Sequence, residues 1–284
     1  MFKKIFFAAA LLLASELIAK PVVIASIAPV EYLAKAVGGD KIEVQSLAKG
    51  DVHSYEPKPN DMKAVAKARI FIAAGLEFEE AWIPRFKSSA KNLVVVKSDA
   101  KIAKLKEERG EQAEHDEKHE AHADPHVWLN PMLAITMARN ISDALIDMDK
   151  ANKDFYLENF QKLMNDLLAF DESAKESLAG LKNRKFVVYH PAWGYFAAHY
   201  DLEQISIERS GKEPKIDEMA STLKMIKDEN IKVIFADPNR SQKSAQILAS
   251  QTGAKVELLD PLGYNLLENL KIAVGAIKDA NSPK

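Results

Sequence analysis

No cysteine occurs among the 284 residues. A disulfide framework, a thiolate metal site and a lipid anchor on an N-terminal cysteine are therefore excluded, and any metal bound here is held by nitrogen and oxygen alone. Charge of one sign is also missing: 39 Lys and Arg stand against 41 Asp and Glu, a formal charge of −2, which leaves no basic face for nucleic acid. After the first residues, no apolar run approaches the roughly 20 residues that a helix needs to cross a bilayer. The metalloprotease pattern HExxH is absent as well.

What is present begins with Lys3 and Lys4, then IFFAAALLLAS, then small residues leading to Ala19. Positive start, short apolar block and small residues, in that order, describe a secretory signal peptide over residues 1–19. Its removal takes away two lysines and one glutamate, moving the formal charge from −2 to −3. The expectation is an exported protein of the periplasm, not membrane-spanning and monomeric.

The remaining chain alternates. Short β-rich runs at 21–29, 41–48, 69–75 and 92–98 are separated by helical patterns at 30–37, from 59, and at 79–87. Residues 130–182 read as helical almost throughout, with a long apolar period through FYLENFQKLMNDLLAFDESAKESL. Alternation then resumes with KFVVYHP, LEQISIE, IKVIFADP and KVELLDP as strands, and with helices at 193–200, 216–228, 241–252 and 265–277. Gly253 is placed to stop its helix. Strands alternating with helices mean a mainly parallel sheet. The predicted fold is α/β with two lobes, 20–128 and 184–284, each a parallel sheet flanked by helices. A helical segment, 129–183, joins them and contains a long rigid helix.

In open α/β sheets ligands bind beyond the carboxyl ends of the strands. His53 follows the second strand run, His190 ends FVVYH, Asp260 ends VELLD, and His126 sits in DPHVWLNP at the foot of the interlobe helices. Two candidates come from each lobe. Three imidazoles and a carboxylate can supply a tetrahedral zinc site, whereas shells of oxygen alone suit magnesium, calcium or manganese. Three histidines and a water also describe a catalytic zinc, so a hydrolase is the rival reading at this point. Spacing along the chain does not decide whether the four residues meet.

GDVHSYEPKPNDM, DPHVWLNP, HPAWGYFAAHYDL, IERSGKEPKIDEMASTLKMIKDENIKVIFADP and TGAKVELLDPLG, in this order, resemble the metal-binding solute-binding proteins of ABC importers, in their zinc-binding, ZnuA-like branch. The resemblance runs from about residue 21 to 278. It implies a metal in the cleft between two α/β lobes, with ligands falling on His53, His126, His190 and Asp260. It also implies Zn(II) as the transported ligand and the membrane permease of an ABC importer as partner. Manganese-binding relatives commonly carry glutamate at the third position, where this chain has His190; imidazole in place of carboxylate moves preference toward zinc. Two features depart from the family pattern. Asn130 stands where aspartate is usual, and FADPNRS replaces an acidic-Pro-Gln-aromatic sequence.

Four of the seven histidines crowd into residues 114–131. Only His126 lies in an ordered motif. His115, His119 and His122 belong to a stretch rich in Lys, Glu and His, about 106–123, that reads as a mobile surface loop. They form at most a weak auxiliary metal site, so deleting 111–122 is expected to leave the tight zinc-binding event intact by calorimetry. Glu208 is a candidate to support a ligand from behind, and His199 a structural helix residue. Because zinc requires neutral imidazole, affinity is expected to fall on acidification below about pH 6.5.

Overall fold

The computed structural model describes residues 19–106, 123–208 and 216–281. The signal-peptide assignment over 1–19 and the auxiliary histidines His115, His119 and His122 lie outside the described residues, apart from Ala19 itself.

The amino-terminal lobe runs β1 (Val22–Ala25), α1 (Ala28–Gly38), β2 (Glu43–Ser46), α2 (Pro59–Val65), β3 (Ile70–Ala73), α3 (Glu77–Ser89) and β4 (Val94–Lys97). The carboxyl-terminal lobe runs β5 (Lys185–Val188), α6 (Gly194–His199), β6 (Glu203–Ser206), α7 (Ile216–Asp228), β7 (Val233–Ala236), α8 (Lys243–Thr252), β8 (Lys255–Leu258) and α9 (Leu266–Asn281). All pairings within the two sheets are parallel, in the orders β2-β1-β3-β4 and β6-β5-β7-β8. The two halves thus share one strand order. The inner strands β3 and β7, IFIA and VIFA, are buried at every residue, because helices cover both faces of a parallel sheet.

Between the lobes come α4 (Pro131–Met148) and α5 (Lys153–Ala179). Helix α5 buries Tyr156, Phe160, Leu163, Leu167, Phe170, Ala174 and Leu178, a three-and-four spacing that keeps one face inward for about 40 Å of helix. It packs on α1 and α4 at one end and on α9 at the other. One hydrophobic core runs through this helix from β1 and α1 to Trp193, Phe235 and α9. A second, smaller cluster lies on the far face of the carboxyl-terminal sheet, around Val187, Ile234 and Leu248.

The differences from the sequence reading are local. Strand β1 stops at Ala25, because Pro29 sits in the first turn of α1, where its missing N–H costs nothing. Helix α3 begins at Glu77 rather than at 79. The Glu79 carboxylate folds back to accept the N–H groups of Ala74, Gly75 and Leu76, so it lies inside the first turn. Residues 99–106, up to the start of the expected loop, are anchored: Lys104 pairs with Asp99 at 2.7 Å, Leu105 N donates to Tyr195 Oη, and Lys106 bridges Ala123. Gly253 ends α8 with φ +78°, a left-handed conformation that a side chain would strain.

Candidate metal centre

Each candidate histidine is placed by a different local device. His126 precedes a single 3-10 turn, Val127–Leu129, whose three side chains are wholly buried. The Asp124 carboxylate accepts both the His126 backbone N–H at 2.9 Å and its ring Nδ1–H at 2.8 Å. That bond fixes the tautomer and leaves Nε2 as a lone-pair donor. Asn130 caps α4, accepting from Met132 N and Leu133 N, which is the role of the residue where the family usually has aspartate. The Trp128 indole donates to Pro261 O at 2.7 Å, joining this motif to the other lobe.

His53 is carried by the loop between β2 and α2. Its backbone N–H and the Ser54 hydroxyl both go to Asp51, and the Tyr55 hydroxyl donates to Asp61 at the start of α2. His190 lies two residues beyond β5, at the point where the strand order of its sheet reverses, the usual crevice for a ligand.

The three rings converge. The metal-binding nitrogens of His53, His126 and His190 all lie within 4.8 Å of one another, the only such metal-capable group among the described residues. His53 Nε2 and His190 Nε2 are 3.2 Å apart. Tetrahedral zinc with nitrogens at about 2.05 Å needs them about 3.3 Å apart, so this pair already has nearly the right spacing. His126 and His190 are buried, at 4% and 7% exposure, while His53 is exposed at the mouth of the cleft.

Although His53 as a residue is exposed, its ring faces His190 inside the cleft, and desolvation there pushes the imidazolium down to about pKa 4, with the His126 and Arg240 charges adding to the effect. Burial also pushes His190 well below the ordinary value, followed by His126, His53 and Arg240. Both rings are therefore neutral at pH 7, as a zinc ligand must be. The acid range of 6.5 expected from sequence moves down, because the pocket is drier than a surface loop.

Asp260 is not in that group of atoms within 4.8 Å of one another. Its Oδ1 accepts from Leu262 N and from Asn239 Nδ2, both at 2.8 Å, at the end of β8. Glu208, suspected from sequence, does lie behind His190, with Oε2 at 3.1 Å from Nδ1. His199 is remote from the triad and pairs with Asp171 on α5 at 2.6 Å. Two supporting residues escaped the sequence reading. Asp124 is visible only as the start of DPHVWLNP. Arg240 lies within FADPNRS, which departs from the family pattern, yet its guanidinium reaches His190 Nδ1 at 2.8 Å and Glu208 Oε1 at 2.8 Å.

Asp124→Asn keeps the shape but weakens the bond that orients His126. Zinc affinity is expected to fall about 10- to 100-fold in a chelator competition, with melting temperature little changed.

A cavity of about 770 Å³ elsewhere, lined by Lys182, Phe186, Lys232 and Lys255, opens at the amino ends of the carboxyl-lobe strands and away from the histidines. No helix among the described residues is long and apolar enough to cross a membrane.

Comparison with known proteins agrees with this geometry. The family described as "Zinc-uptake complex component A periplasmic", ZnuA, matches residues 23–280. The "High-affinity zinc uptake system protein ZnuA" of Bacillus subtilis (strain 168) is 30% identical over 279 residues, covering 91% of this chain and 86% of that protein. The "Zinc-binding lipoprotein AdcA" of Streptococcus pneumoniae is 30% identical over 82% of this chain, which spans about half, 48%, of that protein. A crystal structure of ZnuA superposes with a TM-score of 0.86 and 34% identity over 93% of this chain and all of that one, and a ZnuA deletion mutant with zinc bound gives the same score and identity. The parallel two-lobed architecture, the convergent histidines and a match across nearly the whole chain place the protein in the ZnuA family of zinc-binding, substrate-binding components of ABC importers.

Proposed function

We propose that the protein captures Zn²⁺ between its lobes with His53, His126 and His190 and delivers it to the membrane permease of an ABC importer. The observation that carries this is the convergence of three imidazoles, two from the amino-terminal half and one from the carboxyl-terminal half. The other oxygen of Asp260, or a water, completes the tetrahedron. All-imidazole ligation favours zinc over manganese. The carboxylates that contact the rings, Asp124 and Glu208, are engaged behind them as supports for ligation, which favours a carrier over a hydrolase. The family is a transport family, not an enzyme family.

Residues 1–19 act as a signal peptide, and the mature chain works as a monomer in the periplasm. Elemental analysis of natively purified protein tests the assignment directly and is expected to give one zinc per chain. Zinc at a hundredfold excess over Kd is expected to stabilise the fold by about 2.7 kcal/mol in thermal melts. Manganese in place of zinc, or no stabilisation, would defeat the assignment.

A further inference from the structure

His190 Nδ1 faces two groups of opposite character. Glu208 Oε2, 3.1 Å away, is an acceptor for the ring; Arg240 Nη1, 2.8 Å away, can only donate. A neutral imidazole nitrogen serves one of them at a time. With a hydrogen on Nδ1, the ring donates to Glu208 and turns an Nε2 lone pair toward the triad. With Nδ1 accepting from Arg240, the hydrogen lies on Nε2. That N–H then points at His53 Nε2, 3.2 Å away, and consumes the second lone pair as well. The first arrangement accepts a metal; the second refuses it.

We propose that Arg240 is a positioning residue that holds His190 in the metal-refusing tautomer, and that zinc loading passes Nδ1 from Arg240 to Glu208. This rests on the reading of the three histidines as the zinc site. Three features support the assignment. Arg240 is held in place by its second nitrogen, which pairs with Glu208 Oε1 at 2.8 Å, so the guanidinium keeps an anchor when it lets the ring go. Its loop is a built turn: Asp237 Oδ1 accepts from Asn239 N at 2.7 Å, and Asn239 Nδ2 reaches Asp260. The side chain is only 16% exposed, so its charge acts on the cleft rather than on bulk water. A fixed guanidinium beside a dication also opposes it directly. Arg240 thus lowers the affinity of the site for zinc.

The test pairs variants of opposite expected sign. Zinc affinity is measured by chelator competition for wild type, Arg240→Met, Arg240→Lys and Glu208→Gln, and ring ¹⁵N spectra of the metal-free proteins report the His190 tautomer. Arg240→Met is expected to tighten zinc binding on the order of tenfold and to move the ring hydrogen from Nε2 to Nδ1. Arg240→Lys, which keeps a charged donor, is expected to stay near wild type. Glu208→Gln, which weakens the competing acceptor, is expected to loosen binding about 10- to 100-fold. A merely structural arginine would lower affinity in Arg240→Met as in Glu208→Gln. Unchanged or weaker binding in Arg240→Met overturns the proposal. So does a wild-type metal-free spectrum with the hydrogen already on Nδ1, which needs no variant to fold. A wild-type protein that binds no zinc overturns the reading of the site instead.

Discussion

His190→Ala is expected to lower zinc affinity about a hundred- to a thousandfold in chelator competition. A structural zinc site is worth about 10–16 kcal/mol in all, so one of four ligands carries about 2.5–4 kcal/mol. The variant isolates ligation from folding. Arg240 Nη2 and Glu208 Oε1 pair without help from the ring, so the buried carboxylate keeps its partner when the imidazole is gone. Metal-free melting is expected to shift only slightly, whereas the stabilisation by added zinc shrinks. Affinity within threefold of wild type would mean that the ring is not a ligand, however well it points.

Acid is expected to release zinc late and steeply. Free histidines compete with protons near pH 6.5. Burial pushes His53 down to about 4 and His190 well below the ordinary value. Affinity is therefore expected to hold from pH 8 to about 5 and then to fall, most steeply as pH reaches and passes about 4, where each proton taken up costs up to tenfold per pH unit. The metal-free protein follows the same sign. Its folded state resists protonation that the unfolded chain accepts at 6.5, so stability present above pH 6.5 is lost as pH drops toward 4. Calorimetric titrations across pH 8–4 measure the first effect and melting temperatures the second. A midpoint near 6.5 in either would show that water reaches the rings freely.

The fold was open to sequence reasoning wherever burial is two-sided. VVIA, IFIA and VIFA are uninterrupted because helices cover both faces of their sheets, and the long period of α5 is uninterrupted because both lobes rest on it. The three histidines that converge were legible as candidates through GDVHSYEP, DPHVWLNP and their places beyond strand ends. What supports them was not. Asp124 acts through a hydrogen bond to a residue two positions on, which looks in sequence like an ordinary turn. Arg240 acts across fifty positions on a ring from another strand, and nothing in a linear pattern brings them together. Asp260 was legible from its place at the end of its strand, but Asn239, whose amide holds its Oδ1, is a neighbour that spacing could not reveal.

The hydrogen bond from the Trp128 indole to Pro261 O runs across the floor of the cleft, whereas His53 sits at its rim on a strap tied down by Tyr55 and Asp61. Opening need not resemble a pair of jaws. Lifting that one strap would withdraw a single imidazole and leave the bond from Trp128 to Pro261 in place.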